Sequence, residues 1–533
     1  MSHAPLGPAV SRGRAGGVRA HRGGLRMARG LVAVGLVVAL SASLSGCVTW
    51  FMPSKPATTS SPTKEKVSAD LARYYHQVIT WTSCGNDMQC GKAMVPLDWK
   101  NPSHATIELA LVRHLATGKS LGSLLVNPGG PGGSGVDFVE NNLDYATDTT
   151  LQTHYTIVGF DPRGVGKSTK VTCYGPAKMD QYLYGITTGT RGSAAWIAAQ
   201  TEEAKDFASA CEKNTGALLA HVDTVSAARD LDVLRAALGD TKLHYLGYSY
   251  GTYLGATYAS LFPDKVGRLV LDGAIDPAAS NFDVTMEQSK GFESALRAYL
   301  KSCLGGKDCP FTGTVERSMT TVGDLLSSVE ASPIRNADGR ELGADTLLTA
   351  IIYPLYDANA WSYLSQMFTE VMKGKASLAF TLADAYNNRS SNGTYGDNST
   401  EAFMAINCLD YTYDDNPAVM RSQEQKLEQA APVIGRYMGY GDIGCATWPY
   451  HSTTKRGPIT APGAAPILVV GTTNDPATPY VWAQNLAGEL QSGHLITYHG
   501  EGHTAYNKSN SCVNDAVDGY FVSGTVPSTD PMC

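Results

Sequence analysis

A serine hydroxyl attacks a carbonyl only when a base takes its proton, and that base needs a carboxylate to hold its tautomer. Gly247-Tyr248-Ser249-Tyr250-Gly251 offers such a serine. It follows the apolar run Leu243–Leu246 and precedes a helix-like run, Thr252 to Leu261. That strand–turn–helix order is the setting of a nucleophile elbow, which exposes the hydroxyl on a sharp turn. The flanking glycines give the turn room where a Cβ would clash, and a helix N-terminus behind Ser249 favours developing negative charge. The pentapeptide alone is common in a chain with 55 glycines, so its context carries the specificity.

The base must come from elsewhere. Downstream lie His451, His494, His499 and His503. His503 stands in Gly500-Glu501-Gly502-His503-Thr504, a loop just past the last apolar strand, where an imidazole can reach over a sheet edge. His494 and His499 flank that strand and read as structural. For the acid, Asp475 follows Ile467-Leu468-Val469-Val470-Gly471, at the carboxyl end of a strand where ligand-facing groups gather. Asp272, directly after Val270-Leu271, is the rival; Glu501 is too close to His503 in sequence to be its natural partner. A developing oxyanion needs two N–H donors. Tyr250 supplies one, as the residue after the nucleophile. The other is expected from Asn127-Pro128-Gly129-Gly130-Pro131-Gly132-Gly133-Ser134-Gly135, with Gly130 favoured and Gly129 the alternative. This glycine-rich loop matches neither G-x-x-x-x-G-K-[ST] nor G-x-G-x-x-G, which argues against a nucleotide site.

The elements that must position these groups alternate in type. Thr106–Ala116, Ser123–Val126, Tyr155–Phe160, Leu243–Leu246, Val266–Leu271, Pro466–Val470 and Leu495–Tyr498 read as strands. Asp223 to Leu238 reads as a helix, with Val225, Ala228, Leu231, Leu234 and Leu238 at helical spacing and Gly239 as its stop. Strands alternating with helices imply an α/β fold with a mostly parallel sheet covered on both faces. Between about Asp276 and Gly463 the rhythm changes to helix-like segments such as Glu293–Leu304 and Thr346–Tyr356, with no strands between them; Asn387–Thr400 reads as an exposed loop. This block is expected to be a helical lid inserted between sheet strands. A second excursion, Val171 to Ala220, carries the helix Ala194–Lys213.

At 533 residues the chain exceeds one ordinary core. Its hydrophobic content of 43% and charged content of 17% describe a globular protein. The net charge of −7 argues against nucleic-acid binding, and the six arginines before Cys47 stand with no acid, so a chain trimmed there is more acidic still. Those arginines precede the apolar run Leu31–Leu40, which ends in Leu44-Ser45-Gly46-Cys47. The pattern is that of a lipoprotein signal segment over 1–46, with Cys47 lipidated; cleavage elsewhere, with Cys47 incidental, is the other reading. Met27 is an alternative start. Residues 47–70 then form the anchor and a Ser/Thr/Pro-rich tether. An exported chain with ten remaining cysteines suits disulfides. Their placement suggests sequence-adjacent pairs, Cys84–Cys90, Cys173–Cys211, Cys303–Cys309, Cys408–Cys445 and Cys512–Cys533, a connectivity that sequence alone leaves open. No C-x-x-C pair or His cluster suggests a metal, and the chemistry calls for no cofactor.

Taken in order, Asn127–Gly135, Gly159-Phe160-Asp161-Pro162-Arg163-Gly164-Val165-Gly166-Lys167-Ser168, Gly247–Gly251, Gly471–Pro479 and the His503 loop resemble the secreted actinobacterial tripeptidyl aminopeptidases. These belong to the proline-iminopeptidase-like branch of the α/β-hydrolases. Cys445-Ala446-Thr447-Trp448-Pro449 is similar to that family's pattern entering its TAP-like C-terminal segment. The resemblance runs from about Leu71 to the end. One departure is Asn127-Pro128, where proline iminopeptidases usually carry a His before Gly-Gly-Pro. The resemblance implies an α/β-hydrolase core in two parts, 71–275 and 464–533, with the cap at 276–463. It also implies removal of short peptides, tripeptides among them, from a free amino terminus of peptide substrates. Such an enzyme needs an acidic group to capture the ammonium, and Asp410, anchored by Cys408, is the candidate. Asp161 and Arg163 are expected to brace the loop after their strand. Two other readings share these residues: an esterase using the same triad, and a peptide-binding surface lipoprotein on a retired scaffold.

Overall fold

A computed structural model describes residues 57–452 and 455–533. The signal segment and Cys47 lie outside the described residues. Ten strands form one sheet in the order β1-β2-β3-β4-β6-β5-β7-β8-β11-β12. They are β1 (Thr58–Thr59), β2 (Thr80–Gly85), β3 (Met88–Pro96), β4 (Thr106–His114), β5 (Ser123–Asn127), β6 (Thr156–Phe160), β7 (Leu243–Tyr248), β8 (Val266–Asp272), β11 (Ile467–Asn474) and β12 (Gly493–Glu501). From β6 onward every pairing is parallel, while β1 to β4 run antiparallel and form one edge. The β2–β3 hairpin turns through Asn86 and Asp87, both at positive φ (46° and 58°). A two-residue polar turn of that geometry suits the twist of the paired strands.

Alternation along the parallel strands builds two cores. Leu125, Tyr245, Leu269, Leu271, Ile467 and Val469 face one side of the sheet, against Leu231, Leu234 and Leu254. Leu124, Val126, Leu246, Val270, Leu468 and Val470 face the other, against Val139, Val517 and Phe521. The helices that matter for the site are α1 (Gly135–Ala146), α2 (Thr224–Leu238) and α3 (Tyr250–Leu261). Asp223 caps α2 by accepting from the Ser226 N–H, and Gly239 ends it in the left-handed conformation.

Packing of α1 on β6 leaves no room for side chains at two glycines. A Cβ on Gly135 would lie 2.2 Å from the Phe160 carbonyl oxygen, and one on Gly159 would lie 2.2 Å from the Gly135 carbonyl oxygen. Gly135→Ala is therefore expected to cost about 3 kcal/mol through forced separation of α1 from β6. Calorimetry would show a melting temperature lowered by several degrees, and an unchanged one would contradict this packing.

Between β8 and β11 the chain is mostly helical, including α4 (Asn281–Leu304), α5 (Ala344–Leu355) and α6 (Ser399–Asp410), with its own core around Phe292, Leu347 and Phe368. Two features differ from the sequence expectation. A small hairpin, β9 (Ile334–Arg335) with β10 (Glu341–Leu342), interrupts the helices. The end of Asn387–Thr400 is buried rather than exposed, because the Asn398 amide donates to the carbonyls of Gly164 and Val171 and its oxygen accepts the Gly166 N–H. Loop backbone thus satisfies a polar run that reads as solvated. Disulfides join Cys84–Cys90, Cys173–Cys211, Cys303–Cys309, Cys408–Cys445 and Cys512–Cys533. No helix among the described residues is long and apolar enough to cross a membrane.

The C-terminal helix α7 (Ser511–Ser523) carries a carboxylate with an unusual titration. The Tyr506 hydroxyl lies 2.7 Å from Asp518 and 3.2 Å from Asp148. Burial, reinforced by the charges of Asp148 and Asp515, pushes Asp518 up to about 7 against the Tyr506 hydrogen bond. In an unfolded chain the same carboxyl titrates near ~4. Its contribution to stability is thus full below that value and is lost as pH rises through about 7. Asp518→Asn is expected to flatten the decline in melting temperature between these two values; melting curves that stay parallel to wild type would contradict it.

Candidate active site

Ser249 sits between β7 and α3 at φ 55°, ψ −124°, a backbone conformation that L residues avoid outside such turns. Its amide donates to the Asp272 carbonyl at 2.9 Å. The two glycines of the motif have separate reasons. A Cβ on Gly247 would fall 2.4 Å from the Gly251 carbonyl oxygen, and one on Gly251 would fall 2.8 Å from Asn127 Oδ1. Asn127 uses that oxygen to accept the Gly129 N–H at 3.0 Å. The second glycine therefore clears space for the side chain that orients the glycine-rich loop. The Ser249 side chain is half-buried, and its hydroxyl makes no hydrogen bond among the described residues.

Asp475 and His503 meet directly. His503 Nδ1 lies 2.9 Å from both carboxylate oxygens, with both residues buried. The Ala477 and Thr478 amides, the Thr478 hydroxyl and the Thr504 amide also donate to Asp475. A carboxylate so surrounded is an acceptor only, so Nδ1 carries the ring proton and Nε2 is left as a lone-pair base. Among the described residues His503 Nε2 has no hydrogen-bond partner, so its lone pair is open to the serine proton. Gly273, at φ 68°, makes way for the ring: a Cβ there would sit 3.2 Å from His503 Cε1 and 3.0 Å from Thr478 Oγ1. Gly273 follows Asp272, whose carbonyl holds the Ser249 amide, so serine and imidazole share one corner of the sheet. In a resting enzyme the serine–histidine hydrogen bond is commonly long and tightens with substrate.

The rival acid has other work. Asp272 accepts from the Ala505 and Tyr506 amides and pins the loop that carries His503. Burial pushes it up to about 6, opposed by Lys508 and those two amides. Thr478, which touches both Asp475 and His503 Nδ1 (3.2 Å), had no motif to announce it; only its position three residues after the acid marks it.

The glycine-rich loop lies against the elbow. A Cβ on Gly129 would be 2.8 Å from Ser249 Cβ and 3.0 Å from the Tyr250 nitrogen. The Gly129 N–H is spent on Asn127, while the Gly130 N–H has no acceptor among the described residues. Tyr250 opens α3, where first-turn amides lack an intrahelical acceptor. Asp161 fixes the far end of the loop by accepting from the Ser134 hydroxyl and the Val136 and Lys167 amides. Arg163 pairs with Asp230 at 2.7 Å and donates to the carbonyls of Pro96, Leu97 and His221, a fully buried brace.

Asp410 is not placed as an exposed ammonium clamp. Both of its oxygens accept from Thr224, one from the amide at 2.9 Å and one from the hydroxyl at 2.5 Å, and the residue is 6% exposed. The helix start of α2 thus engages both oxygens and turns the carboxylate inward. The helical block also touches His503 through Tyr356, whose carbonyl accepts the His503 amide and whose ring stands edge-on to the imidazole at 5.4 Å.

A mostly parallel sheet with a serine on the β7–α3 turn and an Asp–His pair at the ends of later strands defines an α/β-hydrolase. The comparisons with known proteins then narrow the class. A family model described as TAP-like protein matches residues 431–533. Serine protease Hip1 of Mycobacterium tuberculosis is 35% identical over 478 residues, spanning 86% of this chain and 91% of its own. Tripeptidyl aminopeptidase of Streptomyces lividans is 31% identical over 477 residues, 87% of this chain and 88% of its own. Carboxylesterase B of M. tuberculosis is 36% identical over 470 residues, 85% and 89% respectively. The chain belongs to the Hip1 and tripeptidyl aminopeptidase family of α/β-hydrolases.

Proposed function

We propose that this chain is a serine exopeptidase that releases short peptides, tripeptides foremost, from the free amino terminus of peptide substrates. Ser249 Oγ attacks the scissile carbonyl and its proton passes to His503 Nε2, while Asp475 holds the Nδ1–H and the forming imidazolium. The Tyr250 and Gly130 N–H groups receive the oxyanion. His503 then protonates the leaving amine, and a water deprotonated by His503 hydrolyses the acyl-enzyme. The observation that carries this reading is the His503–Asp475 contact beside an unpartnered Nε2. The helical block from 276 to 463 serves as the lid that limits how much peptide enters. The relatives named serine protease and tripeptidyl aminopeptidase support peptide-bond hydrolysis, and the one named Carboxylesterase B favours a second reading, a small-ester hydrolase on the same triad. Chromogenic tripeptides with free and with blocked amino termini separate the two. Faster turnover of the free form is expected; preference for blocked peptides and simple esters would overturn the exopeptidase reading.

Five disulfides support export to an oxidising compartment. Anchoring through a lipidated Cys47 belongs to the same proposal. A clickable fatty acid should be incorporated by wild type and not by Cys47→Ala; equal incorporation would rule the anchor out.

A further inference from the structure

We propose that Asp410 and Thr224 are positioning residues that hold Tyr250, and that helix α6 splints both halves of the oxyanion site. This inference rests on Ser249 being the nucleophile and Tyr250 an oxyanion donor. Thr224, fully buried at the start of α2, hydrogen-bonds through its hydroxyl to the Tyr250 hydroxyl on one side and to Asp410 on the other. In its ionised form Asp410 only accepts, and the Thr224 hydroxyl then donates to it. The Thr224 lone pair is then free for the Tyr250 proton, and the chain Tyr250–Thr224–Asp410 has a single direction. Tyr250 is 5% exposed, so a broken link leaves a polar atom without water.

What fixes Asp410 is its helix. Its neighbour Cys408 is bonded to Cys445, which ties the C-terminal end of α6 to the segment Asp442–Ala446. The N-terminal end of the same helix lies on the glycine-rich loop: a Cβ on Gly132 would meet the Ser399 carbonyl oxygen at 2.8 Å and the Phe403 nitrogen at 3.1 Å. One helix of the inserted block therefore touches the loop that bears the Gly130 donor and, through Thr224, the residue that bears the other. The Arg456 guanidinium lies between the Tyr253 and Tyr411 rings, 4.1 Å from each centroid, and its charge offsets that of Asp410. Burial nevertheless pushes Asp410 up to about 7, so keeping a carboxylate there is costly unless its acceptor geometry is used. An oxyanion donor acts on the transition state far more than on bound substrate, so loosening it lowers kcat and spares KM.

The test compares Thr224→Val, Thr224→Ser and Asp410→Asn on a free-amine tripeptide chromogen. A fluorophosphonate taken to completion counts competent sites, so that kcat is expressed per titrated site. Thr224→Val removes the relay hydroxyl, and Asp410→Asn offers Thr224 a donor where it needs an acceptor. Each is expected to lower kcat per site roughly ten- to hundredfold with KM within about twofold, while Thr224→Ser stays within about threefold of wild type. Should the valine variant not be recovered folded, the asparagine variant carries the same test. Unchanged kcat per site in the variants, a serine variant as slow as the valine one, or a loss confined to KM would overturn the proposal. The last result would return Asp410 to substrate binding. Failure of wild type to take the label at Ser249 would instead sink the underlying nucleophile assignment.

Discussion

Ser249→Ala is expected to lower kcat by about 10⁶-fold on a free-amine tripeptide chromogen, with the fold intact. The size follows from the loss of the only atom able to form the acyl-enzyme; what remains is stabilisation by the backbone donors and binding. Little stability should be lost, because the Ser249 hydroxyl has no hydrogen bond among the described residues, and the backbone at φ 55° is held by the amide contact to Asp272 rather than by the side chain. Steady-state assay of the purified variant, with circular dichroism as the control for folding, measures both. Activity within about a hundredfold of wild type would contradict the assignment of the nucleophile.

Asp475→Asn is the second large effect, about 10⁴-fold in kcat. Five donors converge on this carboxylate: the amides of Ala477, Thr478 and Thr504, the Thr478 hydroxyl and His503 Nδ1. An amide offers one acceptor oxygen where two are used, and its NH2 must then face a donor. The local loops hold the oxygen, the NH2 turns toward the ring, and His503 takes the opposite tautomer with its proton on Nε2. The serine proton then has no acceptor. Because the ring stays in place, KM should change little. Asp272→Asn provides the contrast, since among the described residues that carboxylate accepts from the amides of Ala505 and Tyr506 and not from His503. A larger kcat loss for Asp272→Asn than for Asp475→Asn would show that the acid comes from β8 instead.

The parts of this site that were legible in sequence are those set by local patterns. The strand before Gly247, the helix after it and the acid at the end of an apolar run all depend on near neighbours, and the structure extends them by only a few residues, as in Leu243–Tyr248 and Ile467–Asn474. The parts that were not legible depend on distant contacts. Thr224 and Asp410 are 186 positions apart, and neither residue type hints at the other. In sequence Asp410 reads as an ammonium-binding acid anchored by Cys408; the Cys408–Cys445 bond supplies the anchor, but both carboxylate oxygens accept from Thr224. The antiparallel edge β2–β3 was readable in principle, because Asn86-Asp87 is a turn dipeptide of the left-handed kind, but its strands mix charges and glycine and lack clean alternation. The burial of Asn398 could not be read at all: a polar side chain becomes an interior one only when a loop from another part of the chain, here Gly164 to Val171, presents its unpaired backbone groups.

Everything rests on an alcohol, an imidazole and a carboxylate acting as one unit at the end of β7, β11 and β12. The most direct measurement is peptide mapping by mass spectrometry after reaction of the native protein with a fluorophosphonate. One adduct per chain is expected, on Ser249, formed at least a hundredfold more slowly in Asp475→Asn. An adduct on another serine, or modification of Ser249 at the same rate without the carboxylate, would contradict it.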